Sequence, residues 1–383
     1  MSKKIAFVFG TRPEAIKMAP LIRAVANAEH FVPVVILTGQ HPTMAKQVLE
    51  WFEIEADFSH VIDRTNPTLN SLTSQIIKNA NDSLREAEVD LVIVQGDTAS
   101  AFAGAVAAFN LQIPVAHLEA GLRTNDIYSP YPEEAYRQMV SRISDLHFCP
   151  TVLNRENLLK EGIPSSKIMV TGNTVVDAFS VVTAKIKSSE IQVHVPEGIP
   201  ESNLVLVTAH RRENLGEGMA EIARSVKGLS TNYPNLTFVI PMHPNPAVRE
   251  KLIPELDGMS NVKLIEPLEY PEFISILSKS TLVLTDSGGV QEEAPILGIP
   301  AIVMRDNTER PEGITAGGVI LVGASESRIT TAISNVLNDK SLLASMSKAA
   351  NPYGDGEASA RCISMLDEFF GLGERNLEFE SAN

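Results

Sequence analysis

Short runs of apolar, largely β-branched residues alternate along the whole chain with longer amphipathic stretches, and this alternation restricts the fold more than any single motif. In the first half the runs are Ile5–Phe9, Val34–Leu37, Leu91–Val94, Pro114–His117, Leu146–Phe148 and Ile168–Val170. In the second they are Leu204–Val207, Thr237–Ile240, Val262–Ile265, Leu282–Leu284, Ala301–Met304 and Val319–Val322. Apolar runs without polar alternation are what strands buried on both faces look like, and intervening helical stretches supply right-handed crossovers. The expected fold class is therefore α/β, with two parallel-sheet, Rossmann-like domains and a central cleft between them. A length of 383 residues agrees, at about 100–200 residues per domain. Periodicity is lost over the Pro- and Gly-bearing stretch Lys185–Ser202, which sets the expected domains at 1–184 and 203–365. A last helix, Glu357–Phe370, puts Ile363, Leu366 and Phe370 on one face before a Gly371 C-cap. The polar stretch from Glu374 is expected to fray.

The net charge of −15, from 32 basic and 47 acidic residues, disfavours a nucleic-acid backbone or an anionic membrane as partner. A small anion needs only a local positive site. Cys149 and Cys362, far apart, form neither a disulfide framework nor a paired metal spacing, and a reducing cytoplasm is the expected location. The apolar run after Met1–Lys4 breaks at Gly10-Thr11-Arg12-Pro13, unlike a signal peptide. No Gly-x-Gly-x-x-Gly follows the first strand and no Walker A loop occurs, which removes the main support for a dinucleotide oxidoreductase or a P-loop NTPase. His117-Leu-Glu119 lacks the Pro-Cys-x-x-Cys partner of a zinc deaminase, so no metal is expected.

Ligands of open parallel sheets bind beyond the carboxyl ends of the strands, and here those ends are polar. They read Gly10-Thr-Arg-Pro-Glu14 with a helix through Lys17, Gln95-Gly-Asp-Thr98, Glu119-Ala-Gly-Leu-Arg123, His210-Arg-Arg-Glu213, Met242-His-Pro244 and Thr285-Asp-Ser-Gly-Gly289. Ser287-Gly288-Gly289, between a strand and a helix starting near Val290, offers backbone N–H groups to a phosphate, the alternative being a plain strand–helix turn. Glu292 and Glu293, in the first turn of that helix, could meet ribose hydroxyls. Arg12 and Arg310 are candidate counter-charges to a diphosphate, or else surface ion pairs. Asp97 and Glu119 follow adjacent strands and Glu133 follows a proline-rich loop. Close carboxylates suit paired acid and base roles, while capping of the next helix is the bland reading for Asp97 and Glu133. His210, flanked by Arg211 and Arg212, could face a leaving diphosphate or be structural.

These segments, together with Gly172-Asn-Thr, Pro132-Glu133-Glu134, Asp286-Ser-Gly-Gly-x-Gln-Glu-Glu293, Arg305-Asp-x-Thr-Glu-Arg-Pro-Glu312 and Asn351-Pro-Tyr-Gly-Asp-Gly356, resemble in order those of the non-hydrolysing UDP-N-acetylglucosamine 2-epimerases. The resemblance runs from about residue 5 to 370. It implies a glycosyltransferase-B-like fold in which the C-terminal helix end and tail, 366–383, pack back on the first domain, a homodimer, no cofactor, and reversible conversion of UDP-GlcNAc into UDP-ManNAc for surface polysaccharide synthesis. It further implies Asp97, Glu119, Glu133 and His210 as catalytic residues. Arg12, Lys17, His243, Phe273, Ser287, Gly288, Gly289, Glu293 and Arg310 would bind substrate. Gln40, His41 and Arg211 would serve an allosteric UDP-GlcNAc, although Pro42, Thr43, Ala45 and Lys46 depart from the family pattern there. A 2-epimerase of another UDP-N-acetylated (diacetamido) sugar, a hydrolysing epimerase and a GT-B glycosyltransferase are the alternatives, with a non-catalytic nucleotide-sugar module as the bland one.

Overall fold

The computed structural model describes residues 2–380 and divides into two compact units, 2–181 with 353–380, and 182–352. The first unit runs β1 (Lys3–Phe9), α1 (Arg12–Asn27), β2 (Phe31–Leu37), α2 (Pro42–Trp51), β3 (Phe58–Ser59), α3 (Leu69–Ala87), β4 (Leu91–Gln95), α4 (Ala99–Asn110), β5 (Val115–Leu118), α5 (Glu133–Ile143), β6 (Leu146–Cys149), α6 (Val152–Lys160) and β7 (Ile168–Val170), and α7 (Thr174–Lys187) leads out of it. The second unit runs β8 (Leu204–Thr208), α8 (Glu217–Asn232), β9 (Thr237–Pro241), α9 (Pro246–Leu256), β10 (Val262–Ile265), α10 (Tyr270–Ser278), β11 (Ser280–Thr285), α11 (Gly288–Ile296), β12 (Ala301–Val303), α12 (Glu312–Thr315), β13 (Val319–Leu321), α13 (Glu326–Asn338) and α14 (Lys340–Ser347). A last helix, α15 (Ala358–Phe370), belongs to the first unit.

Both sheets are parallel throughout, in the orders β3-β2-β1-β4-β5-β6-β7 and β10-β9-β8-β11-β12-β13. Each sheet therefore reverses its strand order beside its first strand, β1 or β8, which is where such folds open a ligand crevice at the strand ends. Every residue from Ile5 to Phe9 is fully buried, and burying such side chains contributes roughly 1.5–3 kcal/mol each. In the second unit Val205, Val207, Leu282, Leu284 and Ile302 pack with Ile222, Val226 and Ile329 of α8 and α13 on one face. Leu206, Val283 and Val303 pack with Phe273, Ile276 and Ala294 of α10 and α11 on the other.

Two boundaries differ from the sequence expectation. The units divide inside α7, which continues to Lys187, so regular helix replaces the expected start of the linker at Lys185. Residues 353–365, expected in the second domain, sit in the first unit because the Asn173 N–H donates to the Tyr353 carbonyl at 2.7 Å and the buried Asp177 carboxylate accepts from the Ala358 and Ser359 N–H groups. Asp177 thereby caps α15 from another helix, which no local pattern announces. α15 ends at Phe370 with Gly371 left-handed at φ 69°. Among the described residues no helix is long and apolar enough to cross a membrane.

The turn after β5 is tightly constrained by backbone. Glu119 is left-handed at φ 65° and Gly121 at φ 91°, and a Cβ on Gly121 would stand 2.2 Å from the Asn154 carbonyl oxygen. Gly162, at φ 83°, has open space around it. Gly121→Ala should therefore cost about 3 kcal/mol or more, and Gly162→Ala about 1 kcal/mol, in urea denaturation of the first unit. Equal losses would show that backbone strain alone, without the collision, sets the cost.

Candidate active site

In the first unit the acids lie where the sheet opens. β4 and β5 pair with Gln95 opposite Leu118, so Asp97 and Glu119 leave neighbouring strand ends. Glu119 accepts hydrogen bonds from Lys17 Nζ, Gln95 Nε2 and, at 3.1 Å, Asn173 Nδ2. The Lys17 and Glu119 side chains are each only 7% exposed, so this ion pair is sheltered from solvent. Lys17, expected to touch substrate, thus faces a carboxylate of its own chain. Asp97 accepts from Arg137 Nε at 3.0 Å and from Nη2 of the same guanidinium. It does not cap α4; Thr98 does, accepting from the Ala101 N–H at 3.0 Å. Glu133 is the first residue of α5, directly after Pro132 at the N-cap.

The first loop is equally ordered. Glu14 accepts from the Gly10 N–H at 3.0 Å, the Thr11 N–H at 2.7 Å and the Thr98 hydroxyl at 2.6 Å, tying the β1 and β4 ends together. Complete burial raises its pKa from the ordinary 4.5 to about 7, against the lowering effect of those donors. Arg12 starts α1 and is half-buried. Gln40 accepts from the Ser100 N–H and hydroxyl at the start of α4, and the His41 N–H donates to the Gly10 carbonyl at 2.7 Å. His117 is fully buried and donates Nε2–H to the Gly96 carbonyl at 2.7 Å, and burial pushes its pKa down to about 4. Its imidazole steadies the turn before Asp97.

The second unit gathers its polar groups around buried Asp286, just beyond β11. That carboxylate accepts from the His210 N–H at 2.9 Å, the Arg211 N–H at 2.9 Å and Asn214 Nδ2 at 3.1 Å, and lies 3.4 Å from His210 Nδ1. The His210 ring stacks on His243, with centroids 5.4 Å apart. Burial lowers the His243 pKa. α11 begins at Gly288, two residues earlier than expected, with Ser287 as N-cap. Glu292 and Glu293, both buried, consequently fall in its second turn and not its first. A Cβ on Gly288 would meet Arg310 Nη1 at 2.8 Å and Arg211 Nη2 at 3.3 Å, so two guanidinium groups converge on this helix start. Arg211, expected at an activator site, lies here. Arg310 is itself held by Glu292 at 2.7 Å and by Glu309. Phe273, expected near the ligand, is buried in the core of the second unit.

The arrangement offers anion-binding N–H groups with two cations in one unit and cation-paired carboxylates at strand ends, one buried and one half-buried, in the other. Arg137, Gln95 and Asn173 carry no role in the sequence reading. For Arg137 a signal existed, since it lies one helical turn after the Pro132-Glu133-Glu134 segment.

Comparison with known proteins places this chemistry in a family. Residues 23–367 match the family model described as UDP-N-acetylglucosamine 2-epimerase. A curated UDP-N-acetylglucosamine 2-epimerase of Neisseria meningitidis is 46% identical, over 95% of this chain and 99% of its own length. The crystal structure of a UDP-GlcNAc 2-epimerase from the same organism, bound to UDP-GlcNAc, superposes with a TM-score of 0.92 at 45% identity, covering 95% of this chain and 100% of that one. The kitacinnamycin glycotransferase, at 11% identity and a TM-score of 0.61 over 96% of this chain and 99% of that one, shares the fold alone. The chain belongs to the UDP-N-acetylglucosamine 2-epimerase family.

Glu14 gives a pH test of the first loop. Between about pH 4.5 and 7 the folded chain holds a proton there that the unfolded chain has released, so stability falls as pH rises through this window. The loss is on the order of 3 kcal/mol for a shift from 4.5 to about 7 in a fully buried group. Glu14→Gln should flatten this fall in denaturation midpoints measured from pH 5 to 8; an unchanged slope would refute the assignment.

Proposed function

We propose that the chain is a non-hydrolysing UDP-N-acetylglucosamine 2-epimerase, an isomerase that interconverts UDP-GlcNAc and UDP-ManNAc. The observation that carries this reading is the pair of carboxylates, Asp97 and Glu119, set at adjacent strand ends and each matched to a buried cation, in a chain of this family. The C2 hydrogen of the sugar has no neighbouring carbonyl to acidify it, so direct removal is unfavourable. Departure of UDP from C1 builds oxocarbenium character, and C2–H can then lose its proton to a carboxylate. The C1–O bond breaks with its electrons going to UDP, leaving 2-acetamidoglucal. In return, a diphosphate oxygen adds to C1 and a carboxyl group delivers a proton to the opposite face of C2. Two faces require two proton-handling groups, which Asp97, Glu119 and Glu133 can provide.

We assign the diphosphate to the start of α11 with Arg310, and His210 to the charge that develops on it. Oriented N–H groups and fixed cations stabilise the departing diphosphate without reorganising, so that it returns to C1 before it is lost. Arg12 and Glu293 are assigned to UDP phosphate and ribose. Supply of ManNAc-type sugars for surface polysaccharide is the corresponding cellular role, with a homodimer in a cytoplasmic setting.

Incubated in D2O with UDP-GlcNAc and no added cofactor, the protein should form UDP-ManNAc with deuterium at C2 in the recovered sugar nucleotides, read by mass spectrometry. Recovery of unlabelled UDP-GlcNAc would overturn the activity on this substrate, and parallel runs with UDP-ManNAc and a diacetamido analogue separate the sugar classes. Accumulation of free ManNAc would identify the hydrolysing reaction instead. Asp97→Asn, Glu119→Gln and Glu133→Gln should each lower kcat by about 100-fold or more while UDP affinity, measured by calorimetry, changes by less than about threefold. Parallel loss of turnover and UDP affinity would assign these acids to binding or structure.

A further inference from the structure

We propose that Arg137 is a positioning residue that locks two of the three acids into one frame, an inference that rests on the function proposed above. Its guanidinium, on a side chain 4% exposed, reaches two elements at once. Nε, at 3.0 Å, and Nη2 donate to Asp97 beyond β4, while Nη1 donates to Glu134 Oε2 at 2.9 Å within α5. Glu134 is fully buried and accepts from the Thr124 N–H at 3.0 Å, the Asn125 N–H at 3.3 Å and Gln138 Nε2 at 2.8 Å, so it is fixed to the loop before α5 as well as to the helix. The neighbour of Glu134 in the chain is Glu133, the first residue of that helix. One planar fork therefore sets Asp97 relative to the backbone that carries Glu133.

Arginine suits this task because its donors leave in fixed directions; a lysine ammonium satisfies one carboxylate well but does not hold two at a set angle. The fork is not the only contact that holds α5. α5 is also held against α4 by the Phe102–Tyr136 ring stack, with centroids 4.7 Å apart, and by Val140 in the core. Buried ion triads are often replaceable by apolar side chains at little cost in stability, provided that no lone charge is left behind. Glu134 ties the loop before α5 to the helix, and Arg137 extends that frame to Asp97.

The test uses the full chain with Arg137→Met, Arg137→Lys, and the double variant Glu134→Gln/Arg137→Met, which removes the fully buried one of the two carboxylates left without the guanidinium. Epimerisation kinetics, UDP calorimetry and thermal denaturation are measured on each. In Arg137→Met and in the double variant, kcat should fall by about 100-fold while KM and UDP affinity stay within about threefold, and the double variant should regain thermal stability without regaining kcat. Arg137→Lys should lose about tenfold in kcat with its stability close to that of the wild type. Recovery of kcat along with stability in the double variant, or full activity in Arg137→Lys, would overturn the proposal. An inactive wild-type chain overturns the function itself, whereas an active wild type with an active double variant overturns only the role of Arg137.

Discussion

Charge removed from water has to meet opposite charge or fixed dipoles, and the polar rims of both sheets are organised by that requirement. A parallel sheet covered on both faces puts its strand ends in a semi-buried setting whatever residues stand there. Carboxylates placed at such ends would be neutralised by desolvation unless cations accompany them, as the raised pKa of Glu14 illustrates. Glu14 meets only N–H and O–H dipoles, and its pKa rises. Glu119 and Asp97 instead meet the cationic side chains of Lys17 and Arg137. A structural acid and a candidate catalytic one at this rim thus differ in their partners, dipoles for Glu14 and cations for Glu119 and Asp97.

The same requirement explains what could be read from sequence and what could not. Buried parallel strands announce themselves as uninterrupted apolar runs, and every such run became a strand, because nothing but strand–helix crossover packing hides them. β3 escaped because Phe58–Ser59 is too short to form a run. The start of α11 was placed too late because Gly288 and Gly289 are poor helix formers, yet Ser287 ends the strand turn and the helix takes them as its first residues. The acids were legible by position after strands. Their partners were not: Lys17 and Glu119 lie 102 positions apart, and Asp97 and Arg137 lie 40 apart, separations over which no periodicity speaks.

Positive charge at the second sheet is scarcer than its arginines suggest. Glu213 pairs with Arg305 at 2.7 Å, Arg305 with Glu309 at 3.0 Å, Glu309 with Arg310, and Arg310 with Glu292 at 2.7 Å. Three acids and two bases alternate along this chain, which joins the loop after β8, the loop after β12 and α11. Arg310 therefore reaches the start of α11 with its charge already compensated twice over, and its value there is direction, not net charge. In the proposed reaction, the N–H groups at the start of α11 and Arg211, whose backbone N–H is fixed by Asp286, would share the diphosphate with Arg310. A chain with net charge −15 can hold a doubly charged leaving group on these terms because fixed donors act at contact distance, where the acidic surface is screened within about 8–10 Å of salt solution. Compensated arginines also bear on release: a strongly cationic pocket would hold product as firmly as it stabilises departure, whereas a balanced one favours the transition charge over the resting ligand.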